Sequence, residues 1–190
     1  METIDKDKSR LQKLDWINAA TQILKTEGVH KVKVEPLARI LGVTRGSFYW
    51  HFTKRQDLLD AILANWHSST TVDIIEKLQQ GQMSAKGRLE QLLSLAFSVH
   101  PDSLAVEHAI RAWSLSDSKV KAVVIQVDGQ RIEYLKTLIL ALGWSEEDAQ
   151  QRARLVYYCR VGLYTQALIP TLAERLKTVQ SLLAICMPAD

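Results

Sequence analysis

Residues 34–52 read Val34-Glu35-Pro36-Leu37-Ala38-Arg39-Ile40-Leu41-Gly42-Val43-Thr44-Arg45-Gly46-Ser47-Phe48-Tyr49-Trp50-His51-Phe52. Pro36 falls in the first turn of a helix predicted over 34–41, where its missing N–H costs nothing. Gly42 ends that helix, because it can take a positive φ without Cβ strain. Val43 plugs the angle between two helices, and Ala38 is small enough to let their axes cross closely. Thr44 is placed to cap the next helix through its hydroxyl. On that helix Phe48 and Phe52, four residues apart, share one face and dock inward. The stretch is a helix-turn-helix.

The outward face of the second helix carries the chemistry. Gly46 and Trp50 lie about 200° around the helix from Phe48. A glycine there removes bulk where another molecule must approach. Arg45 projects from the first turn, and arginine is the commonest bidentate reader of guanine in the major groove. Ser47, Tyr49 and His51 offer short or planar hydrogen-bonding groups suited to phosphate oxygens. Residues 31–55 hold six basic residues (Lys31, Lys33, Arg39, Arg45, Lys54, Arg55) against Glu35 alone. Residues 1–66 hold 11 Lys and Arg against 8 Asp and Glu, whereas residues 67–190 hold 13 of each. The whole net charge of +3 therefore lies in the first third, where it favours an anionic partner. A solvated basic face is the plainer reading of charge alone.

Helical periods run outward from this stretch in both directions. A first helix is expected from Ser9 to Glu27, with Ser9 and Gln12 as a capping box and Gly28 as the C-terminal cap. Leu11, Leu14, Ile17, Ala20 and Leu24 form its apolar face. Asp57 to Gln80 reads as one long helix, and a further helix around Leu89–Phe97 is closed off by Pro101. Helices follow at 103–114 and 118–142, the latter ending at Gly143. Ser145 and Asp148 open another, which Pro170 terminates near Ile169, and a last one spans 172–185. The expected fold is all-α with about nine helices.

The pattern resembles the TetR family of transcriptional regulators. It matches at Val34, Leu37, Ala38, Leu41, Gly42, Val43, Thr44, Gly46, Ser47, Phe48, Tyr49, His51, Phe52, Leu58 and Leu59. The dense resemblance covers residues 9–66. It implies a DNA-binding domain there and an effector-binding and dimerisation domain over 67–190. It further implies a homodimeric repressor that holds a near-palindromic double-stranded operator and is released by a small-molecule effector. The DNA contacts expected are Lys33, Thr44, Arg45, Gly46, Ser47, Tyr49, Trp50, His51, Lys54 and Arg55. Lys33 and Lys54 depart from the family, which commonly places hydroxyl or amide caps there; a lysine suits a phosphate instead.

The second domain is less specific. An effector pocket should be apolar with a few converging polar groups, for which Trp66, Glu107, His108, Arg111, Trp113 and Tyr134 are the candidates. His108 and Arg111, three apart, share a helical face. Leu155, Cys159, Gly162, Leu163 and Gln166 on one helix, with Leu172, Leu176, Val179 and Leu183 on the last, suggest a four-helix dimer interface. The same residues could simply complete the monomer's own core.

Composition narrows the classes. With 190 residues, 47% of them hydrophobic, the chain can bury a sizeable core and is not mainly disordered. Four prolines and eight glycines are few for an all-β sandwich. No apolar run reaches the roughly 18 residues of a membrane span, and the charged N-terminus lacks a signal-peptide core, so a cytoplasmic protein is expected. Two cysteines support neither a disulfide framework nor a zinc site. No cofactor motif, metal-ligand spacing, phosphate loop or nucleophile elbow occurs, so no enzyme is expected. A helical enzyme or a protein-interaction module with a basic surface stays open as the alternative.

Overall fold

The computed structural model describes residues 11–98, 101–165 and 170–188. Its α-helices are α1 (Lys13–Glu27), α2 (Val34–Ile40), α3 (Arg45–Tyr49), α4 (Arg55–His67), α5 (Asp73–Gln80), α6 (Ala85–Phe97), α7 (Pro101–Ser114), α8 (Ser118–Leu140), α9 (Glu146–Thr165) and α10 (Leu172–Cys186). A 3₁₀ turn, Val29–Lys31, follows α1. No strand occurs among the described residues. The fold is all-helical, as the periodicity predicts.

The long helix expected over 57–80 is present with an interruption. Between α4 and α5, Ser68–Val72 forms a π turn, so 55–80 is one helical run with a widened middle. Counted that way, the described residues hold nine helical runs. Pro101 does not close off the preceding helix but is the first residue of α7, where its fixed φ is preorganised for a helix.

The chain divides into two compact units between Asn65 and Trp66. In the first, α1, α2 and α3 pack on one another and α4 completes the core. Buried there are Trp16, Ala20, Leu24, Val32, Leu37, Ala38, Phe48, Phe52, Leu58 and Ile62. Phe48 is the hub: it meets Trp16 edge-on at 5.3 Å and stacks on Phe52 at 5.2 Å. Such ring pairs add to the area they bury.

Helix ends follow their caps, with changes from expectation. The cap of α1 is Gln12, whose N–H donates to the Asp15 carboxylate at 2.6 Å; Ser9 lies outside the described residues. Gly28 takes φ +85° and Gly42 +66°, and Val43 N–H returns to the Ala38 carbonyl at 2.9 Å. Thr44 has the extended backbone of a cap, but its side chain makes no capping hydrogen bond. Lys54 has no capping oxygen, yet the Asp57 carboxylate accepts both Thr53 N–H and Lys54 N–H at 3.0 Å. Asp57 thus supplies from inside α4 what the residue before it lacks.

In the second unit α8 lies along α9, with α7 against both, and α6 packs on α8 and α10. Leu78, Leu89, Leu93, Leu138, Ile139, Val156 and Leu182 are in its core. Asp117 caps α8, and Ser145 accepts from Asp148 N–H at the start of α9. Thr171 and Glu174 form a capping box at α10.

Candidate nucleic-acid interface and ligand cavity

In the first unit the turn between α2 and α3 leaves one apolar face inward and one mixed face outward. Phe48 is fully buried, whereas Tyr49 is 56% exposed and Trp50 78% exposed. Thr44, Arg45 and Gly46 are exposed, and Ser47 and His51 are half-buried beside them. A β-carbon at Gly46 would meet only the Thr44 hydroxyl, at 3.5 Å, so nothing inside this unit requires glycine there. A large indole left in solvent costs hydrophobic free energy. An exposed arginine, a bare glycine and two exposed aromatic rings thus lie together on the outward side of the motif.

Lys33 and Lys54 are exposed at the starts of α2 and α4. Arg55 is different. Its Nε donates to the Val32 carbonyl and its Nη2 to the Val29 carbonyl at 2.6 Å. The guanidinium ties α4 to the chain entering α2, so Arg55 is withdrawn from the contact face and given a structural role.

The second unit encloses a cavity of about 230 Å³, at or below the small end of the usual range for small-molecule sites. Ile74 and Ile75 of α5, Leu92 and Phe97 of α6, Leu104 of α7 and Leu135 of α8 supply much of its apolar wall. The π turn contributes Ser69, Thr70 and Thr71. π turns recur at functional sites because the extra residue redirects neighbouring side chains.

A charged network forms the polar wall. Glu107, 3% exposed, accepts from the Trp66 indole at 3.1 Å, from Arg111 Nε at 3.0 Å and from Arg131 Nη1 at 3.1 Å. Arg131 also donates to Thr71 and Thr70, each at 2.9 Å. Arg111 holds Asp128 bidentately at 3.1 and 2.8 Å, and the Tyr157 hydroxyl donates to the same carboxylate at 2.5 Å. Burial pushes the Glu107 carboxyl up, but Arg131, Arg111 and the Trp66 indole outweigh it, and its pKa lies below the usual value. Burial raises Tyr157 to about 12 and, with Arg131 and Arg111 nearby, lowers Arg160 to about 10.

Of the expected effector contacts, Glu107 and Tyr134 line the cavity. Trp66 and Arg111 sit behind it, holding Glu107. His108 is exposed and Trp113 is buried, and neither is among the lining residues. The shared face of His108 and Arg111 therefore does not turn toward the cavity: Arg111 is committed to Glu107 and Asp128. Sequence reasoning missed Arg131, Arg160, Tyr157 and the π-turn threonines. A signal existed: Arg131 continues the α8 stripe of Val120, Val124, Val127 and Leu138, and Arg160 the α9 stripe of Ala149, Ala153, Val156 and Leu163. A charge on an apolar stripe needs a partner or a ligand.

The residues expected at a dimer interface separate into two groups. Leu163 and Val179 belong to the unit's own core, and Leu183 packs against it half-buried. Leu163 and Val179 are corrected to core positions. Leu155, Leu172 and Leu176 are half or more exposed, and Cys159 is exposed. Tyr158, not singled out by spacing, is 60% exposed between them. Nothing lies within 4 Å of a β-carbon at Gly162, so its small size serves no packing within the unit. Gln166 lies outside the described residues.

Among the described residues no group of histidine, cysteine and acidic side chains could hold a metal ion, and no helix is long and apolar enough to cross a membrane. The three-helix arrangement with an exposed second reading helix defines the first unit as a helix-turn-helix domain of the DNA-binding class. Residues 17–62 match the family model described as bacterial regulatory proteins, tetR family. This first domain is therefore similar to the N-terminal domain of tetR-family regulators. A relative from Pseudomonas putida, the HTH-type transcriptional regulator SrpR, is 36% identical over 62 residues, 33% of this chain and 29% of that protein. The chain thus matches less than a third of that relative's length. Over the whole chain the fold is similar to that of Salmonella enterica GusR, with TM-score 0.72, 14% identity and 97% of each chain covered. It is also similar to a transcriptional regulator from Saccharomonospora viridis solved in complex with choline, with TM-score 0.71, 15% identity and 90% and 95% of the chains covered.

Proposed function

We propose that this chain is a homodimeric transcriptional repressor that holds a near-palindromic operator through α3 and leaves it when a small molecule enters the cavity of the second unit. The exposed face of α3, with Arg45, Gly46, Tyr49 and Trp50 outward over a buried Phe48, carries the reading. Arg45 reads a base edge, while Tyr49, His51, Lys33 and Lys54 hold phosphates. Two such heads, one per subunit, would enter successive major grooves about 34–36 Å apart or a multiple of that spacing. The exposed Leu155, Tyr158, Leu172 and Leu176 support pairing through α9 and α10, which would cover apolar surface that one chain leaves in water. The reading places the protein in the cytoplasm, with its DNA.

The effector reading draws support from one connection. Trp66, next to last in α4, donates to Glu107 on the cavity wall. Arg55 at the start of the same helix holds the chain before α2. A ligand that favours one arrangement of the Glu107 network would thereby favour one setting of α4. The solved choline complex of the Saccharomonospora protein supports small-molecule binding by this fold.

Selection of bound sequences from random duplex DNA by the purified full chain tests the reading. Enrichment of an inverted repeat is the expected result, and enrichment of no such repeat overturns it.

A further inference from the structure

We propose that the cavity of the second unit selects an uncharged, largely apolar molecule carrying one hydroxyl or carbonyl oxygen, with that oxygen met by Tyr134. The ligand class rests on the effector reading of the same cavity.

The charged groups of the wall are already engaged with one another. Glu107 accepts hydrogen bonds from Trp66, Arg111 and Arg131. Arg131 donates further to Thr71 and Thr70, and Thr70 in turn donates to the Trp66 carbonyl at 2.6 Å. Asp128, behind the wall, is held by Arg111 and Tyr157. Arg160 is likewise engaged within the chain, and Glu107 attracts its guanidinium. A carboxylate ligand would compete with Glu107 for Arg131, and an ammonium would compete with Arg131 for Glu107. Either would strand a buried charge or give up its own hydration without gaining a partner. An uncharged molecule leaves these pairs intact.

Tyr134 differs from them. It lines the cavity, is 8% exposed, and its hydroxyl has no hydrogen-bond partner among the described residues. A buried hydroxyl in that state has lost the hydrogen bonds that water gave it. Burial holds it above the ordinary phenol range, so it meets a ligand as an O–H donor. An oxygen on the ligand restores the missing bond.

The remainder of the wall gives the body. Ile74, Leu92, Phe97, Leu135 and Val156 line it, a surface that favours aliphatic or aryl carbon. At about 230 Å³ the cavity exceeds the roughly 150 Å³ apolar cavity that takes up benzene. A medium-length chain or a substituted ring is the matching size.

The test titrates the full chain with 1-octanol, octanoate and octylammonium by calorimetry at neutral pH. The three probes share one chain length, and each is kept below the concentration at which it self-associates. The alcohol is expected to bind, with both charged probes at least ~10-fold weaker because each must shed its hydration. Tyr134→Phe should weaken 1-octanol about 3- to 10-fold, the net worth of one hydrogen bond. The melting temperature of the free Tyr134→Phe chain should stay unchanged or rise, since the hydroxyl removed makes no hydrogen bond to the described residues. A charged probe that binds as tightly as 1-octanol, no binding of 1-octanol, or a 1-octanol affinity untouched by Tyr134→Phe overturns the proposal. A lower melting temperature for free Tyr134→Phe also overturns it, because the hydroxyl would then have a partner within the protein. The two readings fail differently. Alcohol binding in the expected order that leaves operator affinity unchanged sinks the effector reading and spares the ligand class. Release from the operator by octanoate or octylammonium, with 1-octanol inert, spares the effector reading and sinks the ligand class.

Discussion

Phe48 meets Trp16 edge-on, their ring centroids 5.3 Å apart at 76°, with neither side chain exposed. This contact fixes the rotation of α3 on α1, and so decides that Arg45, Gly46 and Trp50 face outward. Phe48→Ala should destabilise the first unit by about 3–5 kcal/mol, as deletion of a buried ring does. Urea denaturation followed by tryptophan fluorescence would measure it; a loss under 1 kcal/mol would show that the contact does not set the helix.

The two glycines of the motif should answer differently to alanine. Gly42 has φ +66° with open space around it, so Gly42→Ala carries only the backbone strain, about 1–2 kcal/mol. At Gly46 a β-carbon fits. Gly46→Ala should leave the melting temperature unchanged or higher and weaken operator binding. Unchanged binding there would mean that no duplex approaches this position.

Arg55→Ala separates structure from DNA contact. It removes two charge-assisted hydrogen bonds, worth about 1.5–3 kcal/mol each in buried settings and less where water reaches. Stability should fall, while the slope of log affinity against log salt stays that of the natural chain. Lys54→Ala should do the opposite, lowering that slope by about 1. A reduced slope for Arg55→Ala would return that residue to the interface.

Glu107 gives the second unit an acid-sensitive element. Its pKa lies below the ordinary value of 4.5, so the folded state binds its proton less readily than the unfolded chain does. The stability it contributes is therefore complete above about pH 4.5 and is lost as pH falls through the lower folded value. Glu107→Ala leaves Arg131 and Arg111 without their shared anion and should cost about 3–5 kcal/mol. Melting temperatures between pH 3 and 7 would check both: the mutant's curve should be flatter at the acid end.

The helix-turn-helix was legible because its logic is local. Pro36, Gly42 and the Phe48/Phe52 pair each act within a few residues, and the structure places them where spacing alone puts them. The absence of a cap at Lys54 was legible too, but not its compensation: Asp57 supplies the missing acceptor from three residues on. The cavity was not legible, because Glu107, Arg131 and Arg160 come from three helices separated by long stretches of chain. Periodicity assigns each to a face but does not tell which faces meet. The π turn left no mark at all, since Ser68–Val72 has no residue that demands it. Dimer candidates mixed core with surface because Leu163 and Val179 lie on the same stripes as Leu155 and Leu176.

The proposed function turns on α3 reading base sequence. The most direct measurement is the affinity of the natural chain and of Arg45→Ala for the enriched operator and for every single base-pair variant of it. The predicted result is a loss of about 1–3 kcal/mol confined to one base pair in each half-site, with the preference at all other positions retained. A preference profile for Arg45→Ala that is identical to the natural chain's at every position would contradict it.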